Sequence, residues 1–232
     1  AAFLVLVLLS DYLVRYIPVE TEQQWFDSSR LSFLYQEQPS TEFAQVNQYL
    51  TKLVQQLTPK DPRSAMQYSI QLIEGDAPNA FITPGGHIFV TRQLLNYVNS
   101  ENALSMVIAH EMAHQIHRHP IRSMGQGVVI AVALMIFTGI DGSDWVSGLF
   151  TESVNLGLLA YSREQEREAD STGLKLLTDH YGHAAGSSNF FAQLLKDKRY
   201  EQTGLDEYFG THPNTSDRLE FLRKFEPDQA TE

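Results

Sequence analysis

Cysteine is absent from the 232-residue chain. Disulfide bonds and thiolate metal sites are therefore both excluded, and cysteine usage gives no indication of the redox compartment. Any metal that this protein binds must be held by histidine, aspartate or glutamate.

Basic residues are scarce, with 17 Lys and Arg against 28 Asp and Glu, a formal net charge of -11 and a pI near 5.1. A surface that follows a phosphate backbone needs clustered lysine and arginine, and the sequence has no such cluster. We therefore expect no nucleic-acid partner. The remaining composition, 43% hydrophobic and 19% charged, is that of an ordinary globular protein.

Long hydrophobic runs are also lacking, since no apolar stretch reaches the ~20 residues with which a helix crosses a bilayer. Residues 1–17 open with an apolar run that Asp11 and Arg15 interrupt. This segment is interpreted either as a truncated membrane anchor or signal sequence, or as a helix packed on the domain. Residues 125–140 are the most apolar stretch and predict a buried or membrane-surface helix. Membrane association therefore stays open.

The first half of the chain contains patterns typical of both helices and strands. Apolar residues recur at helical spacing over 41–57, and apolar and polar residues alternate over 66–72. Two short apolar runs, AFIT and HIFV, flank Pro84-Gly85-Gly86 and predict a hairpin, because glycine accepts the positive φ of its turn.

The second half of the chain predicts helices. Ser100 followed by Glu101 indicates a helix start, and the helical pattern continues to Pro120. A long helical pattern runs over about 145–182, another follows over 184–197, and a last helix follows a loop that contains FGTHPNTSDR.

The stretch HEMAH, residues 110 to 114, lies within the helix predicted after Ser100. Residues four apart share one helix face, so His110 and His114 can direct two imidazole nitrogens at one point. Glu111, about 100° around the axis, can act as general base on a water held by the metal. This pattern indicates zinc-dependent peptide hydrolysis.

A helix with scattered surface histidines is the alternative interpretation of HEMAH, and the nearby His117 and His119 favour it. The preceding apolar stretch SMVIA instead indicates that the helix is buried. A buried pair of histidines beside a glutamate needs polar partners.

A catalytic zinc needs three protein ligands and one open position. The one-helix form H-E-x-x-H-x-x-G-x-x-H is excluded, because His117 stands at the glycine position and Pro120 at the final histidine position. The third ligand must therefore come from another part of the chain.

The stretch SREQEREAD offers carboxylates for that position. Helical spacing pairs Glu164 with Glu168 and Glu166 with Asp170, so geometry leaves two candidate faces open. The same residues can also be interpreted as a solvent-exposed helix face on which arginines alternate with carboxylates.

Taken in order, HEMAH, EREAD and the later THP loop resemble the zinc metalloendopeptidases that include the CAAX prenyl proteases and the HtpX heat-shock protease, peptidase family M48 in the gluzincin group. The resemblance covers about residues 60–225. It implies one zinc per chain, with Glu166 as the third ligand beside His110 and His114. It also implies that Asp170 accepts a hydrogen bond from a ligand histidine and fixes its tautomer.

The stretch PNAFITPGGHIFVTRQLL looks like that family's edge strand beside the active-site helix. Such a strand binds an extended polypeptide substrate through main-chain hydrogen bonds. The substrate-binding residues implied are Asn79, Ala80, Phe81, Gly85 and Gly86. A purely structural hairpin is the alternative.

His212 in the THP loop matches the family's late histidine, which implies that it stabilises the oxyanion or occupies the open metal position. Arg218 is implied as a substrate-binding residue in the same neighbourhood. From the residues alone, His212 is a loop histidine before a helix capped near Thr215 or Ser216, and Arg218 is a surface charge.

The resemblance implies a mainly α-helical α+β fold of the gluzincin type, with a small antiparallel sheet beside the active-site helix. The expected divisions are an N-terminal apolar segment at 1–17, a helical region at 18–60, the zinc metallopeptidase domain at 61–226 and a tail at 227–232.

Prenyl proteases carry many membrane spans, so the bacterial envelope members fit this chain better. The implied function is hydrolysis of misfolded or misassembled membrane or envelope proteins, in the periplasm or anchored to the inner membrane.

Two other functions stay open. In the first, residues 125–140 and the edge strand hold unfolded or membrane segments, and the protein is a chaperone-like binding module with a structural metal. In the second, the enzyme is latent, and His212 or the 120–150 segment closes the site until a partner moves it. The sequence does not indicate an oligomeric state.

Overall fold

The structure is a computed structural model that describes residues 14, 16–26, 41–59, 66–124, 148, 161–196, 212 and 215–226. In chain order the helices of this part are α1 (Val19–Trp25), α2 (Thr41–Leu57), α3 (Arg92–Tyr97), α4 (Glu101–Ile116), α5 (His119–Ser123), α6 (Arg163–Tyr181), α7 (Asn189–Lys196) and α8 (Thr215–Arg223). The strands are β1 (Ser69–Ile73), β2 (Ala80–Thr83) and β3 (His87–Thr91). The predicted mainly helical α+β class is confirmed.

The three strands form one sheet in the order β1-β3-β2. β2 and β3 form the predicted antiparallel hairpin, with Phe81 opposite Phe89 and their rings stacked at 5.2 Å. β1 pairs with β3 in parallel, so the sheet is mixed rather than wholly antiparallel. Side chains alternate in the same way in both kinds of strand, so the sequence pattern does not distinguish the two directions.

The hairpin turn packs against α1. Gly85 and Gly86 have φ of 88° and 89°, which glycine adopts without steric cost. The Gly85 N–H donates to Oε1 of the buried Glu22 at 2.8 Å. A Cβ on Gly86 would lie 2.7 Å from the Gln67 carbonyl oxygen, so a side chain cannot replace this glycine without moving β1.

Helix α4 lies at the centre of the domain and contacts α2, β2, β3, α6 and α7. Every residue from Ala103 to Gln115 is buried, which confirms the interpretation of HEMAH as part of a buried helix. The Ser100 hydroxyl caps the helix as predicted and accepts from the Ala103 N–H.

The predicted end of this helix at Pro120 is wrong. α4 ends at Ile116, because Arg118 has a left-handed φ of 62° that does not continue a right-handed helix. Pro120 then stands in the first turn of α5, where its missing N–H costs no helical hydrogen bond. The Arg118 guanidinium is bound to Glu22 at 2.5 Å and to the Ile17 carbonyl at 3.0 Å.

The long helix predicted over about 145–182 does not run through residue 162. Ser162 is extended and forms a capping box with Gln165, so α6 begins at Arg163. It ends before Gly182, as predicted, where φ is 78°. The helix predicted over 184–197 begins at Asn189, and the closing helix begins at Thr215.

Several predictions concern residues outside the described part. They concern three stretches: residues 1–17 apart from 14, 16 and 17, the apolar stretch 125–140, and the tail 227–232. Among the described residues, no helix combines the length and apolarity needed to cross a membrane. The domain boundaries stay a prediction.

Helices α4 and α6 approach closely at Gly173. A Cβ there would lie 3.1 Å from the His110 nitrogen and 3.3 Å from the Ala109 carbonyl carbon, both of which are backbone atoms. Gly173 of α6 therefore packs against the backbone of α4 at Ala109 and His110 and against the Met106 side chain.

Glu101 ties three helices together at the start of α4. Its carboxylate accepts hydrogen bonds of 2.8 Å from the hydroxyls of Tyr49 on α2 and Tyr181 on α6. The hydrogen bonds from Tyr181 and Tyr49 lower the Glu101 pKa below its ordinary value.

We predict that Gly173→Ala destabilises the protein. Overpacking against backbone costs about 1–3 kcal/mol, which outweighs the gain of up to about 1 kcal/mol from replacing glycine in a helix. Urea unfolding at neutral pH should show a lower midpoint. Ser171→Ala, on the exposed face of the same helix, is the control and should not lower it; an unchanged midpoint for Gly173→Ala would contradict the tight contact.

We also predict that Glu101 contributes to acid sensitivity. Since its pKa is lower in the folded state than the ordinary 4.5, its stabilisation is present above that value and is lost as pH falls through the folded pKa. Between neutral pH and about pH 3.5, wild type should therefore lose more free energy of unfolding than Glu101→Gln. Urea titrations at both pH values measure this. Glu20→Gln, an exposed control, should behave like wild type, and equal losses for Glu101→Gln and wild type would refute the prediction.

Candidate metal centre

Five polar side chains from α4 and α6 lie buried around one point. α4 supplies His110, Glu111 and His114, and α6 supplies Glu166 and Asp170. All five are at most 1% exposed. The face of α6 that carries Glu166 and Asp170 is therefore the buried one, while Glu164 and Glu168 are exposed.

The spacing of the candidate ligand atoms suits a single metal ion. His110 Nε2 lies 2.9 Å from His114 Nε2, and these atoms lie 3.5 Å and 3.4 Å from the two oxygens of Glu166. Ligands bound at 2.0–2.1 Å to a tetrahedral zinc are about 3.3 Å apart. The residues thus fit one zinc-sized ion with small adjustments.

Asp170 and Arg218 surround His110. Asp170 Oδ1 lies 3.0 Å from His110 Nδ1, so Nδ1 can donate its proton to this carboxylate. The lone pair of His110 is then on Nε2, the atom that lies 2.9 Å from His114 Nε2. Burial and Arg218 lower the His110 pKa, but the hydrogen bonds to Asp170 and Glu166 outweigh both and raise it to about 9. A proton and a metal therefore compete for the same imidazole, and acid opposes metal binding.

Glu111 has an unusual environment for a carboxylate. It is fully buried, and within the described part of the chain neither of its oxygens has a hydrogen-bond partner. Burial raises its pKa above the ordinary value. A buried carboxylate without hydrogen bonds is costly to maintain, and this one is available to accept a proton from a molecule that enters the site.

Arg218 balances the negative charge of α6. Its guanidinium binds both oxygens of Asp170 at 2.8 Å and 2.9 Å and Glu166 Oε2 at 2.7 Å. Although burial raises the Glu166 pKa, His212 and Arg218 hold it well below its usual range. Arg218 is only 4% exposed, so its interpretation as a surface charge is wrong.

His212 lies between the candidate base and the candidate ligands. Its Nδ1 is 3.1 Å from Glu166 Oε1 and 3.4 Å from His110 Nε2, and its Nε2 is 3.5 Å from Glu111 Oε1. Together with His110, His114 and Glu166, it offers one of four potential ligand atoms within 4.8 Å of one another. His212 is buried at 1% exposure and lies before the helix that begins at Thr215.

The residues predicted to bind substrate fall into two groups. Asn79, Ala80 and Phe81 lie at the start of β2, which forms one edge of the sheet and contacts α4. Asn79 is tied to Thr91 through its N–H and carbonyl. Gly85 and Gly86 instead form the hairpin turn, which contacts Glu22 on α1 and Ser69 on β1.

Sequence reasoning missed two neighbours of His114. The buried Tyr161 ring stacks on the His114 ring at 3.9 Å, and burial raises the Tyr161 pKa well above 10. His119 Nδ1 lies 2.9 Å from His114 Nδ1. Burial lowers the His119 pKa to about 4, against the opposing effect of Glu168. The only sequence signal was the density of histidines after HEMAH, which favoured a surface helix.

Comparison with known proteins matches residues 42–226 to Peptidase family M48. Mitochondrial metalloendopeptidase OMA1 of Schizosaccharomyces pombe is 28% identical over 182 residues, 78% of this chain and 53% of that protein. Human metalloendopeptidase OMA1 is 28% identical over 176 residues, 71% and 33% of the two chains. The beta-barrel assembly-enhancing protease of Yersinia pestis is 26% identical over 188 residues, 77% and 38%. The chain thus spans about half or less of each of these relatives, and it belongs to peptidase family M48.

Proposed function

We propose that this protein is a zinc-dependent metalloendopeptidase. The observation that carries the proposal is the buried convergence of His110, His114 and Glu166 beside a Glu111 carboxylate that has no hydrogen-bond partner among the described residues. Membership of peptidase family M48 supports the same activity.

In this proposal His110, His114 and Glu166 hold one zinc ion. Two imidazoles and a carboxylate form a ligand set that catalytic zinc sites use, and the absence of cysteine excludes thiolate alternatives. Asp170 keeps Nε2 of His110 available by accepting from Nδ1. Zinc bound there supplies Lewis acidity, which lowers the pKa of a water and polarises a carbonyl.

Glu111 acts as the general base and then as the proton donor. Its raised pKa brings it nearer to neutrality, where a carboxyl group can both accept and return a proton. It takes a proton from the attacking water and delivers it to the leaving amine. His212, 3.5 Å from Glu111 through Nε2, donates a hydrogen bond to the oxyanion as it develops.

The substrate is an unfolded polypeptide that binds as an extended strand along β2. β2 is an edge strand in contact with the helix that carries His110 and His114, which supports main-chain pairing near the metal. Ala80 and Phe81 lie on this edge strand, and Asn79 precedes it with its main-chain groups bound to Thr91. The turn at Gly85 and Gly86 ends the strand, and Arg218 binds the carboxylates of Glu166 and Asp170.

The proposed biological substrates are misfolded or misassembled membrane or envelope proteins, at a bacterial cell envelope. The bacterial relative is named for β-barrel assembly, which supports this setting, whereas the fission-yeast relative is named as mitochondrial.

A second candidate is a latent form of the same enzyme, in which His212 occupies the fourth metal position. The observation that favours it is that His212 Nδ1 lies as close to Glu166 and His110 as those residues lie to each other. His212→Ala distinguishes the two roles, because loss of an oxyanion donor lowers the turnover rate and loss of a closing ligand raises it.

We predict that Glu111→Gln keeps zinc and loses peptidase activity by about 10²-fold or more, because it removes the general base. Metal analysis and cleavage of unfolded casein measure the two effects, with Glu164→Gln on the exposed face of α6 as the control. Full cleavage by Glu111→Gln would contradict the mechanism. If the wild type binds one zinc but cleaves no unfolded substrate, and chelation only lowers its melting temperature, the protein is a binding module instead.

We predict that Glu166→Ala loses zinc, because it removes one ligand and leaves the guanidinium of Arg218 short of a partner. Zinc content after dialysis against a weak chelator measures the loss. Glu164→Ala should retain zinc like wild type, and a zinc content in Glu166→Ala equal to that of wild type would exclude Glu166 as a ligand.

A further inference from the structure

We propose that His119 and Glu168 form a hydrogen-bonded relay that orients His114 toward the metal. His114 Nδ1 lies 2.9 Å from His119 Nδ1, and His119 Nε2 lies 3.1 Å from Glu168 Oε2. His119 and Glu168 are positioning residues in this inference, which rests on the proposed zinc site.

The relay depends on the break between two helices at Arg118. Its left-handed backbone ends α4 and starts α5 at His119, so the His119 ring lies beside His114 although only five residues separate them. Glu168 comes from α6 and meets His119 from the other side. His119 is fully buried, whereas the Glu168 side chain is 45% exposed.

Hydrogen-bond accounting fixes the direction of the relay. A carboxylate only accepts, so Glu168 requires the proton of His119 on Nε2. The neutral His119 ring then has a lone pair on Nδ1, which requires the proton of His114 on its own Nδ1. Nε2 of His114 is thereby left with its lone pair, and this is the atom that lies 2.9 Å from His110 Nε2 and 3.4 Å from Glu166.

The two histidines of HEMAH are therefore oriented by two carboxylates of α6 through different routes. Asp170 contacts His110 directly at 3.0 Å. Glu168 acts on His114 through one intervening imidazole. Both faces of α6 therefore help to orient the histidines. The Glu166–Asp170 face is buried and contacts His110 directly, and the Glu164–Glu168 face acts on His114 through His119 of α5.

A second cation held by His117, His119 and Glu168 is the competing interpretation, since their ligand atoms also lie within 4.8 Å of one another. A metal on His119 Nε2 would move the remaining ring proton to Nδ1. That proton would face the Nδ1–H of His114 across 2.9 Å, with no acceptor between them. His117 Nε2 is also already hydrogen-bonded to Thr172 Oγ1 at 2.7 Å. These contacts favour the relay over a second metal.

Zinc affinity, measured by competition with a chelator on the full chain, tests the relay without requiring peptidase activity. Glu168→Ala and His119→Phe should weaken zinc binding by about 10–100-fold, the usual effect of losing a group that supports a ligand histidine. Glu168→Gln should restore most of the affinity, because its amide oxygen can still accept from His119 Nε2–H.

Two matched controls isolate the effect. Glu164→Ala removes the same charge from the exposed surface of the same helix. His117→Asn removes a member of the competing cation site and a ring stacked on His119, but it keeps both hydrogen bonds of the relay. Both should bind zinc like wild type.

The absorption spectrum of the Co²⁺-substituted protein gives a second readout that general destabilisation does not move. Glu168→Ala should alter the visible bands of bound Co²⁺ because His114 is no longer held, whereas Glu168→Gln and Glu164→Ala should reproduce the wild-type bands. Since Glu168 is partly exposed, its alanine variant tests the relay even if His119→Phe does not fold.

Three results would overturn the inference. If Glu168→Ala binds zinc as tightly as wild type and gives the same Co²⁺ bands, the relay is refuted and the proposed zinc site stands. Two zinc ions per wild-type chain, with one lost in His117→Asn, would establish the second cation site instead. A wild type that binds no zinc would overturn the proposed function and the relay with it.

Discussion

The contact between α4 and α6 at Gly173 determines how near the carboxylates of one helix come to the histidines of the other. Because residue 173 has no side chain, α6 rests on the backbone of His110 and Ala109. Asp170 lies one turn before this contact and Glu166 two turns before it, so both meet the imidazoles on the neighbouring turns of α4. A wider separation would replace these contacts with water and remove the convergence of ligand atoms.

Charge balance explains why so many ionisable groups remain buried at this contact. Three carboxylates, those of Glu111, Glu166 and Asp170, are buried together, and Arg218 is the permanent cation that pairs with two of them. Buried carboxylates are stable only when opposite charge and hydrogen bonds compensate for lost water. The metal ion proposed among the imidazoles would supply the missing positive charge, and Glu111, the proposed base, makes no hydrogen bond with Arg218.

Much of this arrangement could be predicted from the sequence, because local signals and the global fold agree. The Ser100 cap, the apolar flank of HEMAH and the Pro-Gly-Gly turn each predicted an element that the structure contains. The parallel direction of β1 could not be predicted, since side-chain alternation is the same in parallel and antiparallel pairs. Helical spacing also could not choose between Glu164–Glu168 and Glu166–Asp170, because packing against α4, and not spacing, buries one face. The resemblance to family M48 supplied Glu166, and the contact at Gly173 gives the physical reason for it.

The left-handed backbone of Arg118 links α1 to the candidate metal centre. A non-glycine residue in this conformation stores roughly 1 kcal/mol or more, and here the ion pair with Glu22 and the bond to the Ile17 carbonyl hold it in place. His119 is the next residue along the chain. Glu22 on α1 and the carbonyl of Ile17 ahead of it thus hold the residue that directly precedes His119, whose imidazole contacts His114. Contacts made early in the chain therefore help to fix the position of an imidazole beside the candidate metal ligands.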